Sequence, residues 1–228
     1  MNIQRNIKKV MERISEAAYR SGRQPDDIIL VAVTKSVNPN NVISAINTGI
    51  EHIGENRVQE FLKKEGVIPE GVKRHFIGRL QTNKVKYIID KVDLIHSLDR
   101  LDLAREIDKR AANVDRIMPV LVQVNIAREA TKAGVMKEKL YEFIESLTPF
   151  THIKVKGLMT IAPFSENGKD IRRYFAEMKE LYQKLANKKY PNVEMEYLSM
   201  GMTNDYEVAI EEGANMVRIG RAIFGERY

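Results

Sequence analysis

The chain has 228 residues, enough for one substantial core or two small domains, and 43% of them are hydrophobic and 30% charged, as is typical of a globular protein. It contains no cysteine, which excludes disulfide bonds and thiolate nucleophiles, and no apolar run is long enough to span a membrane. The first 23 residues carry charges throughout and lack the apolar stretch of a secretory signal, so we expect a cytoplasmic protein.

The net charge of +6 is not concentrated in a basic surface segment. Acidic residues alternate with basic residues along the chain, for example between Asp102 and Arg110, and no basic block or Arg/Gly repeat occurs. Such mixing is typical of solvated helix faces. The excess charge is consistent with small anionic ligands, and we do not expect a nucleic acid as a partner.

The predicted elements begin with an amphipathic helix. Apolar residues recur at helical spacing from Ile3 to Ala18, and Ser21-Gly22 then supplies a stop. We expect this helix to pack its apolar stripe against the rest of the domain.

Eight short apolar runs follow, each with the length and composition of a β-strand. The runs near residues 30, 120 and 217 are almost continuously aliphatic, which is typical of parallel strands that are covered on both faces. The predicted strands are Ile28–Val33, Glu51–Gly54, His75–Gly78, Leu94–Ser97, Met118–Val124, Val155–Met159, Glu194–Leu198 and Asn215–Ile219.

Helical patterns alternate with these strands. Eight βα units in order, without a long Pro/Gly/Ser linker, predict one α/β domain over residues 1–228. The predicted fold is a single (β/α)8 TIM barrel that is preceded by the extra N-terminal helix. A doubly wound open sheet is the alternative, because a strand count is easily wrong by one. The predicted helices are Asn40–Asn47, Val58–Lys64, Asn83–Asp90, Arg100–Ala112, Lys137–Ser146, Asp170–Asn187 and Asn204–Glu211.

In such a barrel, functional groups gather at the C-terminal ends of the strands. Lys35 follows the first strand, where partial desolvation would lower its pKa and leave a neutral amine able to form a Schiff base with an aldehyde. The alternative for Lys35 is an ordinary surface lysine. Asn56, after the second strand, either offers donors and an acceptor to a ligand or caps the following helix.

The third and fourth predicted strands are associated with several hydrogen-bonding side chains whose roles stay open. Gln81 and Asn83 lie at the start of a predicted helix, where they either contact a ligand or contribute to the helix cap. His75 is placed at the start of its strand, away from the mouth, and is interpreted as structural. His96 and Ser97 are placed near the mouth, as ligand contacts or caps.

The loops after the seventh and eighth strands have the composition of a phosphate site. Barrels often bind phosphate there, through small residues whose N–H groups approach the oxygens and through a hydroxyl or a cation. Ser199 and Gly201 supply these parts in the first loop, and Gly220 with the backbone of Arg221 supplies them in the second.

Several other kinds of site are not indicated by the sequence. The four histidines, His52, His75, His96 and His152, lack metal-ligand spacing, so we expect no metal. No nucleophile elbow, Walker loop or dinucleotide fingerprint occurs, and no carboxylate pair stands out as general acid and base.

Recognisable motifs occur in order along nearly the whole chain. They are Leu30–Lys35, Gly54–Asn56 with Val58–Glu60, His75–Gly78 with Leu80-Gln81 and Asn83-Lys84, Gly157–Met159, Leu198–Met202, and Met216–Gly220 with Ile223–Gly225. Together they resemble the pyridoxal 5′-phosphate (PLP) homeostasis protein family, also called the YggS/PROSC family, which is related to the N-terminal barrel domain of alanine racemase.

The resemblance implies PLP as the cofactor and gives roles to the residues at the strand ends. Lys35 would hold PLP as a Schiff base, and Arg218 would face the pyridine nitrogen. Because an arginine stays protonated at any relevant pH, it disfavours a protonated ring nitrogen and weakens the cofactor as an electron sink. The residues implied to surround the rest of PLP are Ser199, Gly201, Gly220 and Arg221 at the phosphate, and Asn56 and Met200 along the pocket.

The chain also departs from alanine racemase. It ends at Tyr228, without the second domain and the opposing tyrosine base of that enzyme, and Pro39 stands where the racemase has a phosphate-binding tyrosine. Within the PLP homeostasis family, Asn204 stands where some members carry an acidic residue, and Arg128 lies in a loop that is often smaller and more polar.

These features predict a PLP-binding carrier or regulator without catalytic turnover. It would act as a monomer in intracellular PLP (vitamin B6) homeostasis and release PLP to apo-enzymes that depend on it. Two alternatives stay open. A small PLP enzyme, such as a slow amino-acid racemase, would exchange the Cα proton of an amino acid, whereas a barrel for another phosphorylated metabolite would leave Lys35 a structural role.

Overall fold

The strands of the computed structural model form a parallel sheet that closes on itself. The structure describes residues 2–129, 132–163 and 169–225. Within these ranges the strands are β1 Ile29–Val33, β2 His52–Glu55, β3 Lys73–Phe76, β4 Leu94–Leu98, β5 Met118–Asn125, β6 Val135–Met136, β7 Ile153–Thr160, β8 Val193–Ser199 and β9 Met216–Ile219.

The pairing of the strands decides between a barrel and an open sheet. β1 pairs with β2 on one side and with β9 on the other, and β4 pairs with β5. Eight parallel strands therefore complete a ring, while the two-residue β6 adds to the end of β5. The predicted TIM barrel is confirmed, and the doubly wound alternative is wrong.

Helices connect the strands around the outside of the barrel. The third predicted helix is a 3-10 helix, Thr82–Tyr87, and the short strand β6 has no counterpart among the predicted elements. No helix in the described ranges is long and apolar enough to cross a membrane. The α-helices are α1 Ile3–Arg20, α2 Pro39–Ile46, α3 Val58–Lys64, α4 Leu101–Ala112, α5 Leu140–Ser146, α6 Lys169–Ala186, α7 Tyr206–Glu211 and α8 Arg221–Phe224.

The extra N-terminal helix, α1, belongs to the same body as the barrel. Asn2 caps it, because its Oδ1 accepts a hydrogen bond from the Arg5 amide at 2.9 Å. The predicted apolar stripe is buried, and α1 packs against α7 and α8. Asn6 also donates to the carbonyl of Ile223 at 2.9 Å. The helix therefore covers the elements that flank the last strand.

Side chains alternate between the outside and the inside of the barrel wall, as strand geometry requires. On β9, Val217 and Ile219 pack in the large core beneath the helices, whereas Met216 packs in a separate apolar cluster inside the barrel. Arg218 lies two residues after Met216 and therefore faces the interior. This alternation brings polar side chains of distant strands together inside the barrel.

Candidate cofactor-binding site

Lys35 lies at the mouth of the barrel, defined here as the rim formed by the C-terminal ends of the strands. It follows β1 after one intervening residue, Thr34, and its side chain is exposed. The position agrees with the predicted strand end. The exposure differs from the predicted partial desolvation, because Lys35 lies beyond the end of the strand and outside the packed interior.

The backbone on both sides of Lys35 is held by hydrogen bonds. Before it, the Thr34 amide donates to the carbonyl of Gly54 at 2.9 Å, and the Thr34 hydroxyl donates to Glu55 Oε1 at 2.7 Å. After it, Ser36 adopts a positive φ of 57°, and its amide donates to Glu60 Oε2 at 2.5 Å. The lysine therefore projects from a short segment whose ends are anchored to β2 and α3.

A buried ion pair underlies this segment. Lys64 Nζ lies 2.5 Å from Glu55 Oε1 and also donates to the carbonyl of Thr34 at 2.6 Å. Both side chains are almost completely buried. Thr34 and Lys64 both donate to Oε1 of Glu55, whereas Oε2 is buried without a hydrogen-bond partner in the described structure. We call Glu55, Lys64 and Thr34 the carboxylate support of Lys35.

The carboxylate support was missed by the sequence analysis, although a signal for it exists. The buried residues of α3 are Val58, Phe61 and Lys64, spaced three apart, so Lys64 lies on the inner face of the helix. A lysine at a buried helical position requires an acidic partner inside the protein. Glu55, at the end of β2, supplies it.

Asn56 is held at the rim by a close approach of the neighbouring loop. A Cβ atom at Gly78 would lie 2.2 Å from the carbonyl oxygen of Asn56, so the loop after β3 can pass only because residue 78 is glycine. The capping alternative is wrong, because the N-cap position of α3 is Arg57. Within the described structure, Oδ1 of Asn56 is buried without a hydrogen-bond donor. Such an acceptor suits a ligand that brings its own donor.

Arg218 is a buried cation with neutral partners. Its side chain donates to the Ser199 hydroxyl at 2.7 Å and to the carbonyl of Thr160 at 2.8 Å. Among the described residues, no carboxylate forms a salt bridge with it. Burial lowers the pKa of Arg218 to about 10, a shift that the more distant Asp205 partly opposes, so the guanidinium stays charged at neutral pH. An uncompensated buried cation of this kind favours an anionic ligand.

Ser199 and Met200 lie deeper than the sequence analysis suggested. The Ser199 side chain is fully buried, and its hydroxyl contacts both Arg218 and His96. Met200 is also fully buried and packs in the core outside the barrel wall. In the described structure, Ser199 therefore supports Arg218 from behind, and the Met200 side chain does not reach the rim.

The two glycine loops at the last strands meet at the rim. Gly201 has a φ of +91°, and a Cβ there would lie 2.6 Å from that of Ala209, so only glycine fits without strain. Its carbonyl accepts from the Arg218 amide at 3.0 Å, which ties this loop to strand β9. Gly220 precedes α8 and Arg221 is exposed. The first N–H groups of a helix lack intrahelical acceptors, so this turn can bind an oxyanion.

Three of the four histidines form a row across the inside of the barrel. His52 Nδ1 lies 3.0 Å from His75 Nε2, His75 Nδ1 lies 2.8 Å from His96 Nε2, and His96 Nδ1 lies 3.2 Å from Ser199 Oγ. We call His52, His75 and His96 the histidine row. His75 is third in its four-residue strand and not at its start, and His96 is neither a cap nor exposed at the mouth.

The histidine row is neutral and is not arranged as a metal site. Burial, reinforced by neighbouring cations, lowers the pKa of His75 to about 3 and lowers the pKa of His96 well below its usual value. The ring nitrogens face one another in sequence instead of converging on one point. In the part of the chain that the structure describes, no group of three His, Asp or Glu side chains is placed to hold a metal ion.

A second feature of the rim is a cavity of about 630 Å³ beside Asn56. Gln81 contributes to it, whereas Asn83 does not. Ser97, by contrast, is buried away from the mouth. The cavity suits anionic groups, because four of the side chains that line it are cationic. These four are Arg57, Arg79, Lys84 and Arg100.

Two residues lie at the surface at positions where the chain differs from other members of the family that it resembles. Arg128 adopts a positive φ of 57° and forms an ion pair with Glu138. Asn204 is exposed. Neither contacts the side chains described above, and nothing in the structure assigns either of them a role in the site.

Comparisons with known proteins place this geometry in a family. The sequence pattern of the alanine racemase N-terminal domain matches residues 2–228. The pyridoxal phosphate homeostasis protein of Aquifex aeolicus is 49% identical over 100% of this chain and 99% of its own length. The protein of the same name from Escherichia coli is 38% identical, over 99% and 97%. The chain belongs to the pyridoxal phosphate homeostasis protein family.

Solved structures agree with this assignment. PipY of Synechococcus elongatus with PLP bound superimposes with a TM-score of 0.80 and 30% identity, over 93% of this chain and 100% of PipY. Alanine racemase of Bartonella henselae with covalently bound PLP matches with a TM-score of 0.70 and 14% identity, over 96% of this chain and 59% of the racemase. The second likeness concerns the fold alone.

Proposed function

We propose that this member of the family binds PLP at the barrel mouth, takes part in PLP homeostasis and does not turn over a substrate. The observation that carries the proposal is Arg218, a buried cation whose described partners are a hydroxyl and a carbonyl. An anionic cofactor would compensate this charge. The relation to PipY, whose structure holds PLP, supports PLP as that cofactor.

Each residue at the rim has a chemical part in this proposal. Lys35 would hold PLP as a Schiff base between its amine and the aldehyde, with the loss of one water molecule. The backbone N–H groups near Gly201, Gly220 and Arg221 would bind the phosphate. Asn56 would accept a hydrogen bond from the cofactor through Oδ1. Ser199 and Met200 would act from behind, by supporting Arg218 and by packing the wall.

Arg218 supports the proposed lack of turnover. PLP supplies an aldehyde and, when its ring nitrogen is protonated, an electron sink. Arg218 keeps its own proton at neutral pH, because its pKa is about 10. A protonated guanidinium disfavours a second positive charge beside it, so the bound cofactor would be a weak electron sink.

We also propose a cytoplasmic, monomeric protein of one domain that releases PLP to apo-enzymes. The monomer is supported by the exposed large apolar side chains, which are scattered along the chain, for example Tyr19, Leu62 and Ile117. Light scattering coupled to size exclusion should give a mass near 26.2 kDa. Transfer to an apo-enzyme would appear as faster reactivation by the loaded protein than by an equal concentration of free PLP.

The decisive experiment is an absorbance spectrum of the purified protein before and after PLP is added. We expect a violet-blue band that borohydride abolishes, that Lys35→Ala lacks, and that the control variant Lys8→Ala keeps, since Lys8 is exposed on α1. No band with added PLP would contradict the proposal and leave a barrel for another phosphorylated metabolite. Exchange of an amino-acid Cα proton in heavy water, lost in Lys35→Ala, would establish an enzyme instead.

A further inference from the structure

The histidine row ends at Ser199, which also holds Arg218, and the donor and the acceptor of each hydrogen bond in the row can be assigned. The Arg218 guanidinium has only hydrogen-bond donors, so the Ser199 oxygen must accept from it at 2.7 Å. The Ser199 hydroxyl has one hydrogen to donate. Because Ser199 is fully buried, that hydrogen requires an acceptor inside the protein, and the one that the described structure offers is Nδ1 of His96, at 3.2 Å.

The direction then passes from ring to ring. A neutral imidazole that accepts at Nδ1 carries its hydrogen on Nε2. His96 therefore donates from Nε2 to His75 Nδ1 at 2.8 Å, and His75 donates from Nε2 to His52 Nδ1 at 3.0 Å. Arg218 thus determines the tautomer of each histidine in the row, although its guanidinium contacts none of them directly.

The far end of the row reaches the surface. His96 and His75 are buried, whereas His52, the first residue of β2, is half-exposed. Three charged groups lie close enough to affect the pKa of His52. They are Glu51, which precedes it in the chain, Lys73 at the start of β3, and Asp93 just before β4. Among the residues that the structure describes, the titratable or charged groups that face His75 are His52 and Lys73, and those that face His96 are His75 and Arg218.

We propose that the histidine row is a directed hydrogen-bond relay that positions Arg218 through Ser199 and carries the protonation state of His52 across the barrel to Arg218. A second proton on His52 occupies Nδ1, which then no longer accepts from His75. The hydrogen bonds can be restored only if His75 and His96 exchange their tautomers, and then His96 donates to Ser199. The Ser199 hydroxyl then loses its acceptor and must reorient, so the hydrogen bond between Ser199 and Arg218 is altered.

The relay is tested by nitrogen NMR of the histidine rings in the full chain without PLP. At pH 7.5 we expect His75 and His96 to be neutral, with the hydrogen on Nε2. Burial lowers the pKa of His52 from its usual 6.5, so we expect this ring to take up its second proton below that pH. Acidification toward pH 5 should therefore shift the ring signals of His75 and His96 as well, because their tautomers change. A hydrogen on Nδ1 of either ring at pH 7.5, or two charged rings, would overturn the proposal.

Two pairs of variants separate the relay from general effects of mutation. His52→Gln should abolish the acid-induced shift of the His75 and His96 signals, whereas His152→Gln, whose ring lies outside the row, should keep it. Ser199→Ala should release His96 into a mixture of tautomers, whereas Ser97→Ala should not, since the buried Ser97 hydroxyl has no partner in the described structure. An unchanged shift in His52→Gln contradicts the relay, even if Ser199→Ala fails to fold.

The consequence for the cofactor rests on the proposed function, while the NMR signature does not. With PLP added, Ser199→Ala should bind it about tenfold more weakly than Ser97→Ala, which corresponds to one charge-assisted hydrogen bond. If neither variant nor the unmodified chain takes up PLP, the proposed function fails but the tautomers still decide the relay. Equal PLP affinities of the two variants, with binding intact, would remove the positioning role.

Discussion

The candidate site contains two basic side chains, Lys35 at the rim and Arg218 inside the barrel, that are supported in opposite ways. Beneath Lys35 lies a buried ion pair, Lys64–Glu55, that anchors the backbone by a hydrogen bond to Thr34. Arg218 is held by a hydroxyl, a carbonyl and, behind them, neutral imidazoles. One support cancels its charges internally, and the other leaves a positive charge uncompensated.

The difference shows what each support is for. A lysine that must stay accessible gains from a rigid segment beneath it, and an internally neutral ion pair provides rigidity without competing for a ligand. A cation that is meant to meet an anion is better held by dipoles, since a carboxylate partner would occupy it. The comparison predicts that removing a charge from the carboxylate support destabilises the protein, whereas removing the charge of Arg218 does not.

The largest effect is expected at the carboxylate support. Glu55→Ala removes the close partner of the buried Lys64 and leaves it the more distant carboxylate of Glu60, at 4.0 Å, which should lower the free energy of unfolding by about 3 kcal/mol in urea denaturation. Glu106→Ala is the matched control, because it breaks a more exposed ion pair with Arg110 at 2.6 Å and should cost about 0.5 kcal/mol. A loss in Glu55→Ala no greater than in this control would show that the pair does not hold the segment.

The next effect concerns pH and the histidine row. The folded pKa of His75 is lowered to about 3, below the unfolded value, so the unfolded chain binds a proton first. The contribution of the neutral imidazole to the free energy of unfolding is therefore fully present above about pH 6.5. It decreases at lower pH by about 1.4 kcal/mol per pH unit for each buried imidazole. The slope between pH 6 and 5 should be shallower by that amount in His75→Gln. An equal slope would mean that His75 is protonated in the folded chain.

A smaller effect is expected where the two loops touch at Asn56. Gly78→Ala places a methyl group against the Asn56 backbone, which should cost about 1–3 kcal/mol and weaken PLP binding by displacing Asn56. Gly66→Ala has open space around its Cβ and serves as the control. Thermal unfolding of both variants compares them directly. Similar stabilities would indicate that the loop after β3 can shift without consequence.

The smallest change in stability, and the clearest contrast with Glu55, is expected at Arg218. Arg218→Met replaces a buried charge by an apolar side chain, so the chain without PLP should be as stable as before or gain about 1 kcal/mol. PLP affinity should nevertheless fall about tenfold or more, because the compensating cation is lost. A loss of stability as large as that of Glu55→Ala would show that the two supports are alike.

Much of the fold could be predicted because its signals are local. Apolar runs of strand length and the helical stripe from Ile3 to Ala18 predicted the barrel and α1. The errors are also local in origin. The segment Thr82–Tyr87 has the composition of an α-helix but forms a 3-10 helix, and β6, with two residues, is too short to give a period.

The candidate site could be predicted only in part. Lys35, Asn56, Gly201, Gly220 and Arg221 were found at strand ends or in the loops that follow, because chain position alone puts them near the rim. The depth of Ser199 and the inward face of Lys64 were not predicted. Both depend on which face of a strand or helix meets which neighbour.

The sequence by itself determined the barrel, the place of Lys35 after β1 and the family to which the chain belongs, because these follow from patterns within single segments. Only the tertiary structure decided that His96 meets Ser199, 103 positions away along the chain. Barrel closure, strand tilt and the irregular register between β4 and β5 set which inward side chains lie at the same level. Hydrogen-bond partners inside a barrel are a property of that closure, and no single segment encodes them.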